Sequence, residues 1–281
     1  MRLGGPILSS YSSPEEWIQI VKKLGYSAVF APVNNDAPED LVKAYLEEAR
    51  KADIIIAEVG AWSNPLSPDE KERKEAMEHC KRQLDLAERL GARCCVNIAG
   101  SRGEIWDGFY RDNYSEDTYA MIVDTVREII DNVKPKHTFY TLEPMPWMYP
   151  DSPESYLRLI KDIDRKEFGV HLDFVNMINN PKRYLFNDRF IRECFEKLGP
   201  YIKSCHAKDV IMSNRLTTMI QEVAPGKGAI DYGVVLRLVE AVDPDMPVMM
   251  EHLATQEEYD EAFNYIKSIA DKNNIKIKSV S

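Results

Sequence analysis

No two of the five cysteines in this chain (Cys80, Cys94, Cys95, Cys194 and Cys205) are spaced as CxxC, and their number is odd. That excludes a disulfide framework and a zinc knuckle as the basis of the fold, and the thiols read as reduced and mostly buried. Basic charge is scarce: 36 Lys and Arg against 46 Asp and Glu leave a formal charge of -10 and a pI near 5.2. Broad binding to a phosphate backbone needs basic surface to displace counterions, so no nucleic-acid partner is expected. No apolar run reaches the length of a membrane span, and Met1-Arg2-Leu3-Gly4-Gly5-Pro6 lacks the charged and apolar regions of a signal peptide. The expectation is a soluble, cytoplasmic protein. The phosphate loop GxGxxG is missing too, because Gly4-Gly5 lies inside the first apolar stretch and is not followed by that pattern.

What is there is a repeat. After the apolar stretch Leu3 to Leu8, the run Ser13-Pro14-Glu15-Glu16 supplies an N-cap, a proline at the first helical position and a capping-box glutamate; a helix to Leu24 follows and Gly25 stops it. The same grammar recurs at Ser67-Pro68-Asp69-Glu70, at Ser152-Pro153-Glu154 and, without proline, at Thr255-Gln256-Glu257-Glu258. Strands are expected at Leu3 to Leu8, Ser27 to Ala31, Ile54 to Val59, Arg93 to Ile98, Thr138 to Glu143, Phe168 to Asp173, Ile202 to His206 and Val248 to Glu251. Amphipathic helices fill the gaps, near 14–24, 39–51, 68–90, 116–132, 153–163, 189–198, 232–242 and 256–271. Eight such units in 281 residues, 44% of them apolar, predict a single-domain (β/α)8 TIM barrel over residues 1–271 with a C-terminal tail at 272–281. An open doubly wound sheet is the alternative.

Four of these strands end on a residue able to bind a metal: Glu143 after Tyr140-Thr141-Leu142, Asp173 after Val170-His171-Leu172, His206 after Lys203-Ser204-Cys205 and Glu251 after Val248-Met249-Met250. Singly, a strand-end acid is often a helix cap, and a lone histidine is often a satisfied core residue. As a set at one barrel mouth, carboxylates are costly to bury unless paired with a cation. Three carboxylates and one imidazole with no thiolate suit one divalent ion, manganese first, with magnesium or cobalt as alternatives. The ion would leave two positions for neighbouring oxygens of a hydroxycarbonyl compound, polarise its carbonyl and stabilise an enediolate while an adjacent glutamate takes the proton.

Leu142-Glu143-Pro144, His171-Leu172-Asp173, Cys205-His206-Ala207-Lys208-Asp209, Pro225-Gly226-Lys227-Gly228-Ala229-Ile230-Asp231 and Met250-Glu251-His252 resemble the xylose-isomerase-like superfamily of TIM barrels, which includes sugar isomerases and epimerases, inosose dehydratases and apurinic endonucleases. The resemblance runs over nearly the whole chain. It implies that Glu143, Asp173, His206 and Glu251 bind one divalent ion and that Glu143 and Glu251 exchange protons with the substrate on opposite faces. Two positions depart from the ketose 3-epimerase pattern. Asn176 stands where a histidine is usual and Met212 where an arginine is usual, which leaves the metal chemistry in place and the substrate or net reaction open. A three-metal endonuclease cluster would need more histidines than His79, His137, His171, His206 and His252.

Other residues carry alternatives of their own. His171 shares a face with Asp173 by strand alternation, and is either an extra ligand or a histidine layered inside the barrel. Lys208 could stabilise the enediolate or be an ordinary loop lysine, and Glu58 could reach substrate hydroxyls. His252 should point away from the site by alternation. Aromatics gather beside the site, with Trp106, Phe109, Tyr110 and Tyr114 in one loop and Trp147 in the next, where they either stack on a sugar or pack over the mouth. Gly226-Lys227-Gly228 reads as turn geometry, with Asp231 capping the next helix. The expected reaction is isomerisation or epimerisation of a small sugar or polyol-derived carbonyl compound. The alternatives are a lyase acting on a keto-inositol or 3-keto-glycoside, and a non-catalytic sugar- or partner-binding barrel. Barrels of this type often self-associate or pair with a second subunit, so a homo-oligomer is expected, with a second subunit as the alternative.

Overall fold

The computed structural model describes residues 1–280. Ten strands form: β1 (Arg2–Gly5), β2 (Ala28–Phe30), β3 (Ile55–Gly60), β4 (Cys94–Asn97), β5 (Phe139–Leu142), β6 (Phe168–Leu172), β7 (Ile202–Ala207), β8 (Asp209–Ser213), β9 (Met219–Val223) and β10 (Pro247–Met250). All but β8 and β9 pair in parallel around a closed ring, β1 to β7 in chain order and β10 between β7 and β1. The (β/α)8 barrel is therefore the architecture, and the open sheet is excluded. Helices α1 (Pro14–Leu24), α2 (Glu39–Lys51), α3 (Glu70–Leu90), α4 (Glu116–Val133), α5 (Pro153–Ile163), α6 (Phe174–Met177), α7 (Pro181–Leu185), α8 (Asn187–Leu198), α9 (Tyr232–Val242) and α10 (Gln256–Lys272) lie between the strands or follow the last of them. None of them is long and apolar enough to cross a membrane.

The caps act where the sequence places them, with one shift. Ser13, Ser152 and Thr255 each accept a hydrogen bond from the third residue of the helix they open, and Gly25 ends α1 at φ 74°. At the third helix the cap is Asp69 rather than Ser67, whose hydroxyl instead holds Glu72, so α3 starts two residues later than expected. The first strand is also shorter than its apolar run and stops at Gly5. All five cysteines are buried and unpaired. The segment after α10 returns to the chain start, where the Met1 ammonium donates to the Lys276 carbonyl at 3.1 Å and the Lys278 amide to the Met1 carbonyl at 3.0 Å.

The antiparallel hairpin β8–β9 has no counterpart in the sequence reading. Its base hangs on Asp209. One carboxylate oxygen accepts the amides of Val210 (2.8 Å) and Ile230 (3.0 Å), and the other those of Gly226 (3.0 Å) and Gly228 (3.1 Å). Gly228 must be glycine here, since a Cβ would lie 2.2 Å from an Asp209 oxygen and 2.5 Å from the Val210 carbonyl. This is the turn read from Gly226-Lys227-Gly228, and Asp231 caps α9 as expected. Removing the Asp209 carboxylate leaves buried amides without acceptors. Asp209→Ala should lower unfolding stability in urea by about 2–4 kcal/mol without changing the slope of the transition.

Candidate metal and proton-transfer site

Each ligand-type residue leaves its strand under restraint. The Glu143 amide donates to the Asn97 carbonyl at 2.8 Å, just past β5. The buried Tyr156 hydroxyl lies 2.6 Å from the Leu142 carbonyl and 2.9 Å from the His171 carbonyl, so one phenol ties together the ends of β5 and β6. Asp173 divides its carboxylate: Oδ1 accepts the Asn176 amide at 3.0 Å and caps α6, and Oδ2 turns inward. His206 pairs with Met249 across β7 and β10, which sets Glu251 beside it two residues later.

These four residues place ligand atoms within 4.8 Å of one another. Nδ1 of His206 lies 2.7 Å from Oε1 of Glu251, 3.6 Å from Oε1 of Glu143 and 3.7 Å from Oδ2 of Asp173. Close as they are, His206 Nδ1, Asp173 Oδ2 and Glu251 Oε1 have no aligned hydrogen-bond partner although all are buried. Two of these acceptors, Asp173 Oδ2 and Glu251 Oε1, already meet the Lys208 ammonium at 2.8 and 2.5 Å, and buried carboxylates gathered around positive charge are what a cation site requires. Three oxygens and one nitrogen fit a hard or borderline divalent ion. The cluster can hold a metal ion.

A second buried layer supports the first. Glu58, from β3, reaches across the barrel interior to β7, where its Oε2 accepts from His206 Nε2 at 3.4 Å and its Oε1 from the Ser204 hydroxyl. The hydroxyl proton being given to Glu58, the Nδ1–H of His171 donates to Ser204 Oγ at 3.0 Å. His171 and His206 meet edge to face at 4.0 Å. Glu58 thus holds the Nε2–H tautomer that frees His206 Nδ1 for the site. It is buried below the ligands, and the sequence expectation that it contacts substrate hydroxyls gives way to this supporting position. His171 is buried in this layer, where Glu58, His171 and His206 place ligand atoms within 4.8 Å of one another.

Electrostatics divide the two histidines. Burial and the neighbouring His206 push the pKa of His171 down, whereas for His206 the cost of burial is outweighed by Glu251, Glu58 and Glu143, which raise it well above the usual imidazole range. Burial opposes ionisation of Asp173 and Glu251, but Lys208 and His206 hold both below the ordinary carboxylate range. The Lys208 ammonium sits 2.5 Å from Glu251 Oε1, 2.8 Å from Asp173 Oδ2 and 3.2 Å from Glu222 Oε2. It is seated against these three carboxylates.

A cavity of about 490 Å³ is lined by Glu143, Glu251 and Asn176, by Trp62, Trp106 and Trp147, and by the charged or titratable Asp107, Glu222 and His252. Asn176 donates its amide to Glu143 Oε1 at 2.9 Å. Met212 lies on β8 opposite Ile220 and does not line the cavity. His252, expected to face away, turns to the mouth instead: β10 ends at Met250, and a left-handed His252 (φ 58°) brings Nδ1 2.8 Å from Glu222 Oε1. Sequence reading missed Glu222, because only the unexpected hairpin carries it over Lys208.

A family model described as xylose isomerase-like TIM barrel matches residues 18–269. The chain belongs to the xylose isomerase-like TIM barrel family. An uncharacterised protein of Methanocaldococcus jannaschii, MJ1311, is 26% identical over 216 residues, covering 74% of this chain and 68% of that protein. Among solved barrels, D-psicose 3-epimerase of Clostridium cellulolyticum H10 with D-tagatose superposes with TM-score 0.68 at 17% identity, covering 98% of each chain. The probable 3-DHS dehydratase AsbF of Bacillus anthracis gives 0.70 at 16%, covering 97% of this chain and 100% of that one. At these identities the likeness is one of fold.

Two outcomes follow for this xylose isomerase-like barrel. Glu58→Ala should weaken divalent-metal affinity roughly 10–100-fold, measured by calorimetric titration, with the fold retained by circular dichroism. Because His206 must lose a proton to ligate, and its neighbours favour the protonated form, divalent-metal affinity should rise with pH by up to about tenfold per unit while one proton is released. Titrations in buffers of different ionisation enthalpy count that proton directly.

Proposed function

We propose that this protein is a divalent-metal-dependent enzyme that moves a proton at the carbon beside a sugar carbonyl, with isomerisation or epimerisation as the net reaction and manganese as the ion. The observation that carries this reading is a division within the ligand set. All four residues face the cluster centre, yet only Glu143 and Glu251 line the cavity. That division supports Glu143 and Glu251 as the groups that handle substrate protons, with Asp173 and His206 reserved for the ion. When bound, the ion supplies charge that stabilises an enediolate.

The chain's own groups account for the rest. Lys208, against Glu251, keeps that carboxylate ionised. The Asn176 amide orients Glu143 from the opposite strand end for the return transfer. A small sugar is the substrate class that suits a charged floor of this size under aromatic walls.

A second reading uses the same intermediate to expel a leaving group beta to the carbonyl, as in dehydration of a keto-inositol or elimination from a keto-glycoside. It is favoured by the surroundings of Glu143, where an amide stands at position 176 in place of an imidazole, and by the distance of Met212 from the cavity.

Ketohexoses, keto-inositols and keto-glycosides offered to Mn²⁺-loaded protein in deuterated water separate the two. Deuterium in recovered or epimerised sugar supports the first reading, and loss of water or aglycone the second. Glu251→Gln and Glu143→Gln should each lower turnover about 10²–10⁴-fold. Absence of both bound metal and deuterium exchange, with neither variant changing anything, would make the protein a non-catalytic binding barrel.

A further inference from the structure

Interior layers of a barrel are ordinarily filled by branched apolar side chains. The layer beneath the strand-end ligands is different: β3, β6 and β7 send Glu58, His171, Ser204 and His206 inward to meet one another, and each is at most 1% exposed. Their spacing is that of a coordination shell. Glu58 Oε1 lies 3.5 Å from His171 Nδ1, and Glu58 Oε2 lies 3.4 Å from His206 Nε2. Charge-assisted hydrogen bonds close to about 2.7–2.9 Å, so neither pair has reached that length. Nitrogen and oxygen ligands set tetrahedrally around an ion, at about 2.0–2.2 Å from it, stand about 3.3–3.6 Å apart. Ser204 Oγ, 3.0 Å from His171 Nδ1 and in contact with Glu58, adds a fourth donor atom.

The charge balance points the same way. Glu58, Glu143, Asp173 and Glu251 bring four negative charges to the barrel centre, and Lys208 brings one positive charge. One divalent ion at the strand ends, on a neutral His206, leaves a single negative charge over, and buried excess charge is costly. That charge rests on Glu58, because the Lys208 ammonium meets Glu143, Asp173, Glu222 and Glu251 and not Glu58. A second divalent ion that replaces the Nε2 proton of His206 removes the excess.

We propose that Glu58, His171 and His206 form a second, wholly buried metal site, with the Ser204 hydroxyl in its fourth position, where an ion of the zinc or cobalt class sits beneath the strand-end ion and shares His206 with it. Two nitrogens and two oxygens in a closed tetrahedron suit Zn²⁺ and Co²⁺, whereas the carboxylate-rich upper set suits harder ions. As the ion enters, the His206 Nε2 proton leaves and the His171 ring proton passes from Nδ1 to Nε2. His206 then bridges the two ions as an imidazolate, one on each nitrogen. None of the lower ligands lines the cavity, so this ion holds His206 in place and does not touch substrate. The lower site stands on its own ligand atoms, whichever reaction runs above it.

Because the layer is closed to solvent, the test loads it during folding. The full chain is unfolded in urea with a chelator, refolded with excess Zn²⁺, Co²⁺ or Mn²⁺, and passed through a desalting column. Elemental analysis should then count two Zn²⁺ per chain and one Mn²⁺. Anomalous diffraction at the zinc edge should place one ion among Glu143, Asp173, His206 and Glu251 and the other among Glu58, His171, Ser204 and His206. The cobalt-loaded protein should show the intense visible absorption of four-coordinate Co²⁺. His171→Phe, with thermal melting as the fold control, should retain one Zn²⁺ and lose that absorption; if this variant does not refold, the wild-type diffraction decides alone. A lone zinc at the strand ends would overturn the second site, mark the lower layer as a hydrogen-bonded support only, and leave the proposed chemistry standing. Two Zn²⁺ retained equally by wild type and His171→Phe, or a second anomalous peak on the protein surface, would also overturn it. Zinc in the lower layer with no ion at the strand ends would uphold this site and count against the proposed function instead.

Discussion

Glu143, Asp173 and Glu251 bring three carboxylates to one buried point, and a fourth, Glu58, lies beneath them. Desolvating four acids together is prohibitive unless positive charge is built in among them. Much of the barrel's centre answers to that demand. His206 stands between Glu58 and the three strand-end acids, and Lys208 closes the cluster from the side of the hairpin. Only a closed ring of parallel strands sends β3, β5, β6, β7 and β10 to a common axis, so the fold and the charge balance are one problem solved once.

The ligands hold their places because each polar group serves two neighbours. Asp173 gives one oxygen to a helix and one to the cluster, and His206 gives one nitrogen to Glu58 and one to the cluster. Glu143 is held through Asn176, which is itself the residue whose amide Asp173 caps. Such shared bonds fix orientation without new chain, and they explain why a site made from four separated strand ends needs few dedicated supports.

Most of this was legible in the chain. Apolar runs spaced through 281 residues identified the eight barrel strands, and Ser13, Ser152 and Thr255 marked helix starts to the residue. Strand-end positions picked out the residues of the metal-capable cluster because a barrel displays its strand ends at one face. Depth was not legible. The pleat says which face a side chain takes and not how far down the barrel it sits, so Glu58 looked like a mouth residue and lies under His206. Alternation also fails once a strand has ended, which is why His252 faces the mouth. The β8–β9 hairpin escaped notice because it is half-exposed and mixes polar with apolar residues, without the buried face that makes a strand visible in sequence.

Tyr156 shows how such a site can stay rigid beneath loops that differ. Its hydroxyl bridges the Leu142 and His171 carbonyls, so a phenol on α5 ties together from inside the protein the strand ends that lead to Glu143 and Asp173. The loops that follow β3, β4 and β5 carry the three tryptophans of the aromatic wall, and the Tyr156 bridge does not involve them. Sequence drift in them can remodel what enters the cavity while the two acids keep their separation, which turns one buried hydroxyl into the boundary between the part of the barrel that is free to vary and the part that is not.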